Sequence, residues 1–215
     1  KDAKLKLSVT PQITFDRSVL RRIAQDYAQK LSVPVGKESA IGATTGWPAY
    51  SYAAQKFGAS NALGGDYWTW YVDWTYSDRG PTRIVVDKHG TLVTFSRYFA
   101  PDATIEKLSP EEATSFAEAA LREFFNQDPA VLPLEPAGSD VRSREGVPAL
   151  QYEATTFVWR EPKEPLGMVQ RYVVQLVGRD ISYLDRRASL PAGYIAPPDQ
   201  PNLELAIALL AVLIL

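Results

Sequence analysis

Cysteine is absent from the 215 residues, and histidine occurs once, at position 89. A disulfide framework, a thiolate nucleophile and a zinc-thiolate site are therefore closed to this sequence. The lack of cysteine does not identify a compartment, because exported proteins also do without disulfides. Excess positive charge is missing too. Lys and Arg number 23 against 25 Asp and Glu, a formal net charge of −2, so the basic patch expected of a nucleic-acid binder has no support in composition. No apolar run reaches the roughly 20 residues that a spanning helix needs. Aromatics, by contrast, are plentiful: 5 Trp, 11 Tyr and 8 Phe point to a core rich in rings. With 46% hydrophobic and 22% charged residues the bulk is globular rather than disordered. The length suits one large domain or two small ones.

The longest apolar run is at the end. After Glu204, residues 205–215 are apolar without exception, and a helix apolar on every side has no polar face to give water. Residues 203–215 are expected to be the truncated start of a transmembrane helix; the alternative is a C-terminal amphipathic helix packed on the domain. Pro191, Pro197, Pro198 and Pro201 just before it favour an extended, semi-rigid stalk over residues 191–202. The opening KDAKLKLSVTPQ has neither a starting Met nor a signal peptide's apolar segment and reads as a mature start.

Local signals set out the elements between these ends. Ser109-Pro110-Glu111-Glu112 is a capping box with proline at the first helical position, and Ala113, Phe116, Ala117, Ala120, Leu121 and Phe124 follow at helical spacing. An earlier helix starts at Asp16, with Phe15 placed to staple onto Leu20 and with Leu20, Ile23, Tyr27 and Leu31 on one face, and Pro34 stops it. Asp66 to Tyr76 alternates as a strand, with Trp68, Trp70, Val72, Trp74 and Tyr76 on one side. Thr82 to Asp87 and Thr91 to Arg97 flank Lys88-His89-Gly90 as a hairpin. In the second half, Gln151 to Arg160 and Met168 to Val177 are β-rich, and Gly178-Arg179-Asp180 turns into Ile181 to Leu184.

The order helix, then strands, occurs twice. It predicts an α+β fold of two tandem helix-plus-antiparallel-sheet units, residues 1–100 and 101–190, joined by Ala100 to Leu108. A single α+β domain whose halves happen to look alike is the other reading.

The stretches YWTWYVDWTYSDRGPTRIVVDKHGTLVTFSRYFAPDA, KLSPEEATSFAEAALREFF, TTFVWREP and RYVVQLVGRDISYLDRRASLPAGY cover most of Tyr67 to Tyr194. Together they resemble the extracytoplasmic N-terminal domain of some CPBP-family intramembrane metalloproteases, a region of PepSY-like (cystatin-like) units. The resemblance implies a domain outside the cell membrane of a bacterium, tethered by its C-terminal segment. That family's active site needs a Glu-Glu pair followed by arginine and two histidine motifs. Here Glu111-Glu112 is followed by Phe116 where the arginine would stand, and His89 is alone. Any catalytic membrane region of the parent would lie beyond Leu215.

The remaining polar residues carry weak signals for chemistry. His89 sits in a tight turn without metal partners. Glu111 and Glu112 suit the positive end of a helix. Ser60 lacks the second glycine of a nucleophile elbow and a histidine partner, and Gly58, Gly64 and Gly65 lack the Lys-Ser/Thr of a phosphate loop. Asp73, Glu153 and His89 are the groups an enzyme would bring into one cleft. Lys1, Lys4, Lys6, Arg186 and Arg187 are candidates to touch lipid headgroups, with solvated charge as the default.

Trp68, Trp70 and Trp74 are the candidate binding residues, as the lining of a ligand or peptide groove, with core as the competing role. The sequence therefore predicts a non-catalytic binding or regulatory domain without cofactor. Its expected partners are the membrane and a peptide or protein, with nucleic acid excluded. A stand-alone, membrane-anchored binding module that uses the aromatic face is the alternative.

Overall fold

In the computed structural model, residues 15–45, 47–57, 68–99, 105–135, 138–142, 152–161, 168–191 and 193–194 are described. Asp16 opens helix α1 (Arg17–Lys30): its carboxylate accepts from the Val19 amide at 2.8 Å and from the Ser18 hydroxyl at 2.7 Å. Leu20, Ala24 and Ala28 form its buried stripe. The helix closes at Leu31 with Ser32 left-handed, ahead of Pro34.

Helix α2 (Trp47–Phe57) buries Ser51 and Ala53 and sets the Tyr52 ring edge-on to Tyr194. Helix α3 (Pro110–Phe125) begins with the expected reciprocal cap. The Glu112 amide donates to Ser109 Oγ at 3.2 Å and the Ser109 amide donates to the Glu112 carboxylate at 3.0 Å. Replacing Ser109 with Ala removes one half of this box, and about 1 kcal/mol of stability is expected to go with it. The urea midpoint should fall with the slope unchanged.

Its buried stripe is Ala113, Ala117, Ala120, Leu121, Phe124 and Phe125. Phe116, expected on that stripe, is 40% exposed and lies under the Arg179 guanidinium. The buried face is therefore centred nearer Ala117 and Phe124 than the sequence suggests, with Phe125 inside it and Phe116 at its margin.

Eight strands make one antiparallel sheet: β1 (Lys37–Thr45), β2 (Trp68–Thr75), β3 (Thr82–Asp87), β4 (Leu92–Ser96), β5 (Gly138–Arg142), β6 (Tyr152–Arg160), β7 (Val169–Val177) and β8 (Asp180–Ser189). Their order across the sheet is β1-β2-β3-β4-β8-β7-β6-β5. The fold is α+β, as expected. Strands β1 and β5 and helix α2 carry no decisive local signal, whereas β2, the β3–β4 hairpin and the β6–β8 run follow their sequence patterns closely. Gly90 and Gly178 hold positive φ, 78° and 58°, in the two hairpin turns.

Helix α1 lies over β2 and β3, and α3 over β6 and β7, on the same face of the sheet. Between them the last strands of the two runs, β4 and β8, pair as Thr94↔Asp185, Phe95↔Leu184 and Ser96↔Tyr183. Leu20, Trp70, Val72, Trp74, Ile84 and Phe95 join Ala117, Leu121, Phe157, Trp159, Val174 and Leu184 in a single buried cluster. Apolar packing is thus continuous across the seam.

Among the described residues no helix is long and apolar enough to cross a membrane. The expected spanning segment, residues 203–215, and nearly all of the stalk lie outside the described residues.

Candidate functional site

The three tryptophans share the helix-covered face of β2, where alternation sends every second side chain to one side. Trp70 and Trp74 are buried there, Trp70 with the Phe15 ring edge-on at 5.7 Å, and Trp68 is half-buried at the rim of the same cluster. Helix α1 covers this face, so Trp70 and Trp74 line no open groove and serve as core. Phe15, expected as a staple for the helix start, sets its ring edge-on to Trp70 and packs against the cluster that also holds Leu20.

Asp73 and His89 are not brought together. Asp73 lies opposite Arg83, which grips it with two hydrogen bonds of 2.7 Å, while His89 sits beyond the far end of β3 in an exposed turn. The Glu153 side chain, Ser60, Gly58, Gly64, Gly65, Lys1, Lys4 and Lys6 lie outside the described residues. Glu111 lines a shallow depression with Pro110, Thr114, Ser115 and Glu118. All five come from α3, so among the described residues one helix alone lines the depression.

Polar groups converge at the β4–β8 seam. Asp87, only 2% exposed, closes β3. One carboxylate oxygen accepts from the His89 amide at 2.8 Å and the Thr91 amide at 3.0 Å, and the other accepts from Arg186 at 2.6 Å. The hairpin is thereby tied to β8 of the other half. Arg186, a candidate for lipid contact, is committed to this buried partner.

The Tyr27 hydroxyl pins the same hairpin to α1, donating to the Gly90 carbonyl at 3.2 Å and accepting from the Leu92 amide at 3.1 Å. Burial pushes its ionisation up. The Tyr172 hydroxyl donates to Glu161 at 2.5 Å and is pushed up further, first by burial and then by that carboxylate. Both phenols stay protonated at neutral pH, as donors rather than bases.

On the opposite face, Asp185 is 6% exposed and accepts from the Thr94 hydroxyl at 2.8 Å across the seam. Arg187 stands 3.4 Å away with its own side chain largely in solvent. Next to it, Gln175 donates to the Thr156 hydroxyl at 2.9 Å and accepts from Ser182 at 3.2 Å. Burial raises the Asp185 carboxyl above its ordinary value, against the pull of Thr94, Arg187 and Tyr183. A folded-state value above the unfolded one makes the charged side chain a cost, present in full above the folded value and gone below the unfolded one. Asp185→Asn keeps an acceptor for Thr94 and removes that cost. Its melting temperature should rise at pH 7. Calorimetry below about pH 3.9 should show no difference from the parent.

Asp87, Asp185 and Arg97 were not singled out from the sequence, because a buried ion pair is made by strand neighbours that local pattern does not name. Arg97 and Arg186 each stand two residues past the middle pair of the β4–β8 ladder, Phe95 and Leu184. Chemically, the seam offers fixed charges and neutral hydroxyls suited to holding shape. Among the described residues no group of three or more His, Asp or Glu side chains is placed to hold a metal ion. No family model, curated protein or solved structure matches the chain.

Proposed function

We propose that this chain is a non-catalytic binding or regulatory domain, carried outside the cell membrane by a C-terminal anchor and accessory to a CPBP-type intramembrane protease. It is built from two PepSY-like units, residues 1–100 and 101–190. The observation that carries the reading is the β4–β8 register. The last strands of two helix-plus-four-strand runs meet antiparallel at Phe95 and Leu184, as the edges of two related units would about a local two-fold axis. The all-apolar run from Leu205 to Leu215 supplies the anchor. The acidic groups at the seam are occupied by arginines and backbone amides, which favours a domain that acts by shape and contact.

Protease protection of the full-length protein in sealed spheroplasts tests the reading. Membrane fractionation with digestion of this region by externally added protease is expected. Recovery of the protein in the soluble cytosolic fraction overturns the proposal. A gene that continues past Leu215 into several spans with paired glutamates and two histidine motifs would supply the protease partner in the same chain.

A further inference from the structure

The two halves share one core, but their backbones are joined over only three residue pairs, the shortest ladder in the sheet. Each end of this ladder carries an arginine. Beyond one end, the Arg97 amide donates to the Ser182 carbonyl at 3.0 Å and its Nε donates to the Ile181 carbonyl at 2.7 Å. Its Nη2 stands 2.8 Å from Asp180, an ion pair without a well-angled hydrogen bond. Beyond the other end, Arg186 reaches Asp87. Asp180 opens β8 just after the Gly178 turn, and Asp87 closes β3 just before the Gly90 turn. Each half thus sends an arginine from its last strand to the aspartate at the other half's hairpin.

We propose that Arg97 and Arg186 form a reciprocal latch that fixes the register of the β4–β8 seam and keeps the two halves opening and closing as one body. Apolar packing alone does not supply this. Phe95 and Leu184 are fully buried, yet burial is non-directional, and a slip of two residues would return the same faces to the core. The arginines forbid the slip, because guanidinium forks accept only partners at the right place and remain charged at every relevant pH. The latch is independent of what the domain binds.

Native-state hydrogen exchange on the full chain tests it. Asp180 is 58% exposed, so Asp180→Asn loosens one arm with little loss of packing and leaves the largely buried Arg97 its two backbone carbonyl partners, Ile181 for the guanidinium and Ser182 for the amide. Amides of residues 94–97 and 182–185 should exchange about threefold faster, in keeping with an ion pair whose carboxylate is largely in solvent. Arg97→Met should raise the same rates about tenfold, and Arg97→Met with Arg186→Met about a hundredfold. Amides in β2 and β6 should stay within about twofold of the parent. Unchanged seam rates in folded Arg97→Met overturn the latch. So does an equal rise in β2 and β6, which marks general destabilisation. If the double variant does not fold, the contrast between seam and distant amides in Asp180→Asn and Arg97→Met decides.

Discussion

Arg186→Met is expected to lower the stability of the chain by about 3–4 kcal/mol, because it leaves Asp87 charged, almost fully buried and without its counter-ion. The methionine fills most of the aliphatic volume, so the loss reports charge more than packing. Two amides, those of His89 and Thr91, still donate to Asp87 and keep the effect toward the lower end of the range for broken buried pairs. Urea unfolding measures the change. The control is Asp87→Asn combined with Arg186→Met: the asparagine oxygen still accepts from both turn amides and no charge remains buried. The double variant should recover at least about 1 kcal/mol relative to Arg186→Met alone, because no unpaired charge stays buried. No recovery would mean that the unpaired Asp87 carboxylate is not what makes Arg186→Met costly.

Gly178→Ala should cost about 3 kcal/mol, or about 6–12 °C in melting temperature for a chain of this size. Two effects add. The residue holds φ at 58°, where a side chain costs about 1–2 kcal/mol. A Cβ there would also meet the Glu106 carbonyl oxygen at 2.6 Å and Ile105 Cγ2 at 3.0 Å. The oxygen is backbone and cannot swing aside, so the strand connection leading into α3 would have to lift off the turn between β7 and β8. Arg179 beside it ties the same two segments together, at 3.1 Å from both Glu106 and Glu112. Gly193→Ala separates the two causes. Its φ of 83° is equally left-handed but no atom of a described residue lies within 4 Å of the added Cβ, so only the conformational cost of about 1–2 kcal/mol should appear. Equal losses for the two substitutions would show that the contact with Glu106 does not matter.

Local chemistry was legible wherever the signal is carried by neighbours in sequence. The caps at Asp16 and Ser109 are where a short polar side chain can reach the third amide on, and the structure places both helices there. The turns at Gly90 and Gly178 follow from glycine's access to positive φ. Strand β2 was readable from its alternation, with Trp70, Val72 and Trp74 buried. Strand β1, KESAIGATT, was not: glycine, alanine and charge give it little intrinsic preference, and its pairing with β2 supplies what its sequence lacks. Phe116 stands at helical spacing with the buried residues yet is 40% exposed, because periodicity marks a face and only the packing partner sets where its edge falls.

The amino-acid order alone thus determined the α+β class, the starts of α1 and α3, the hairpin turns and the recurrence of helix and strands. Each of these is set by contacts within a few residues of chain. Only the tertiary structure decided that the two runs share one sheet, that β4 meets β8 at Phe95 and Leu184, and that Arg97 and Arg186 grip the aspartates of the opposite hairpins. Those pairings join residues about 90 positions apart, and strand order and burial select among the many carboxylates an arginine might reach.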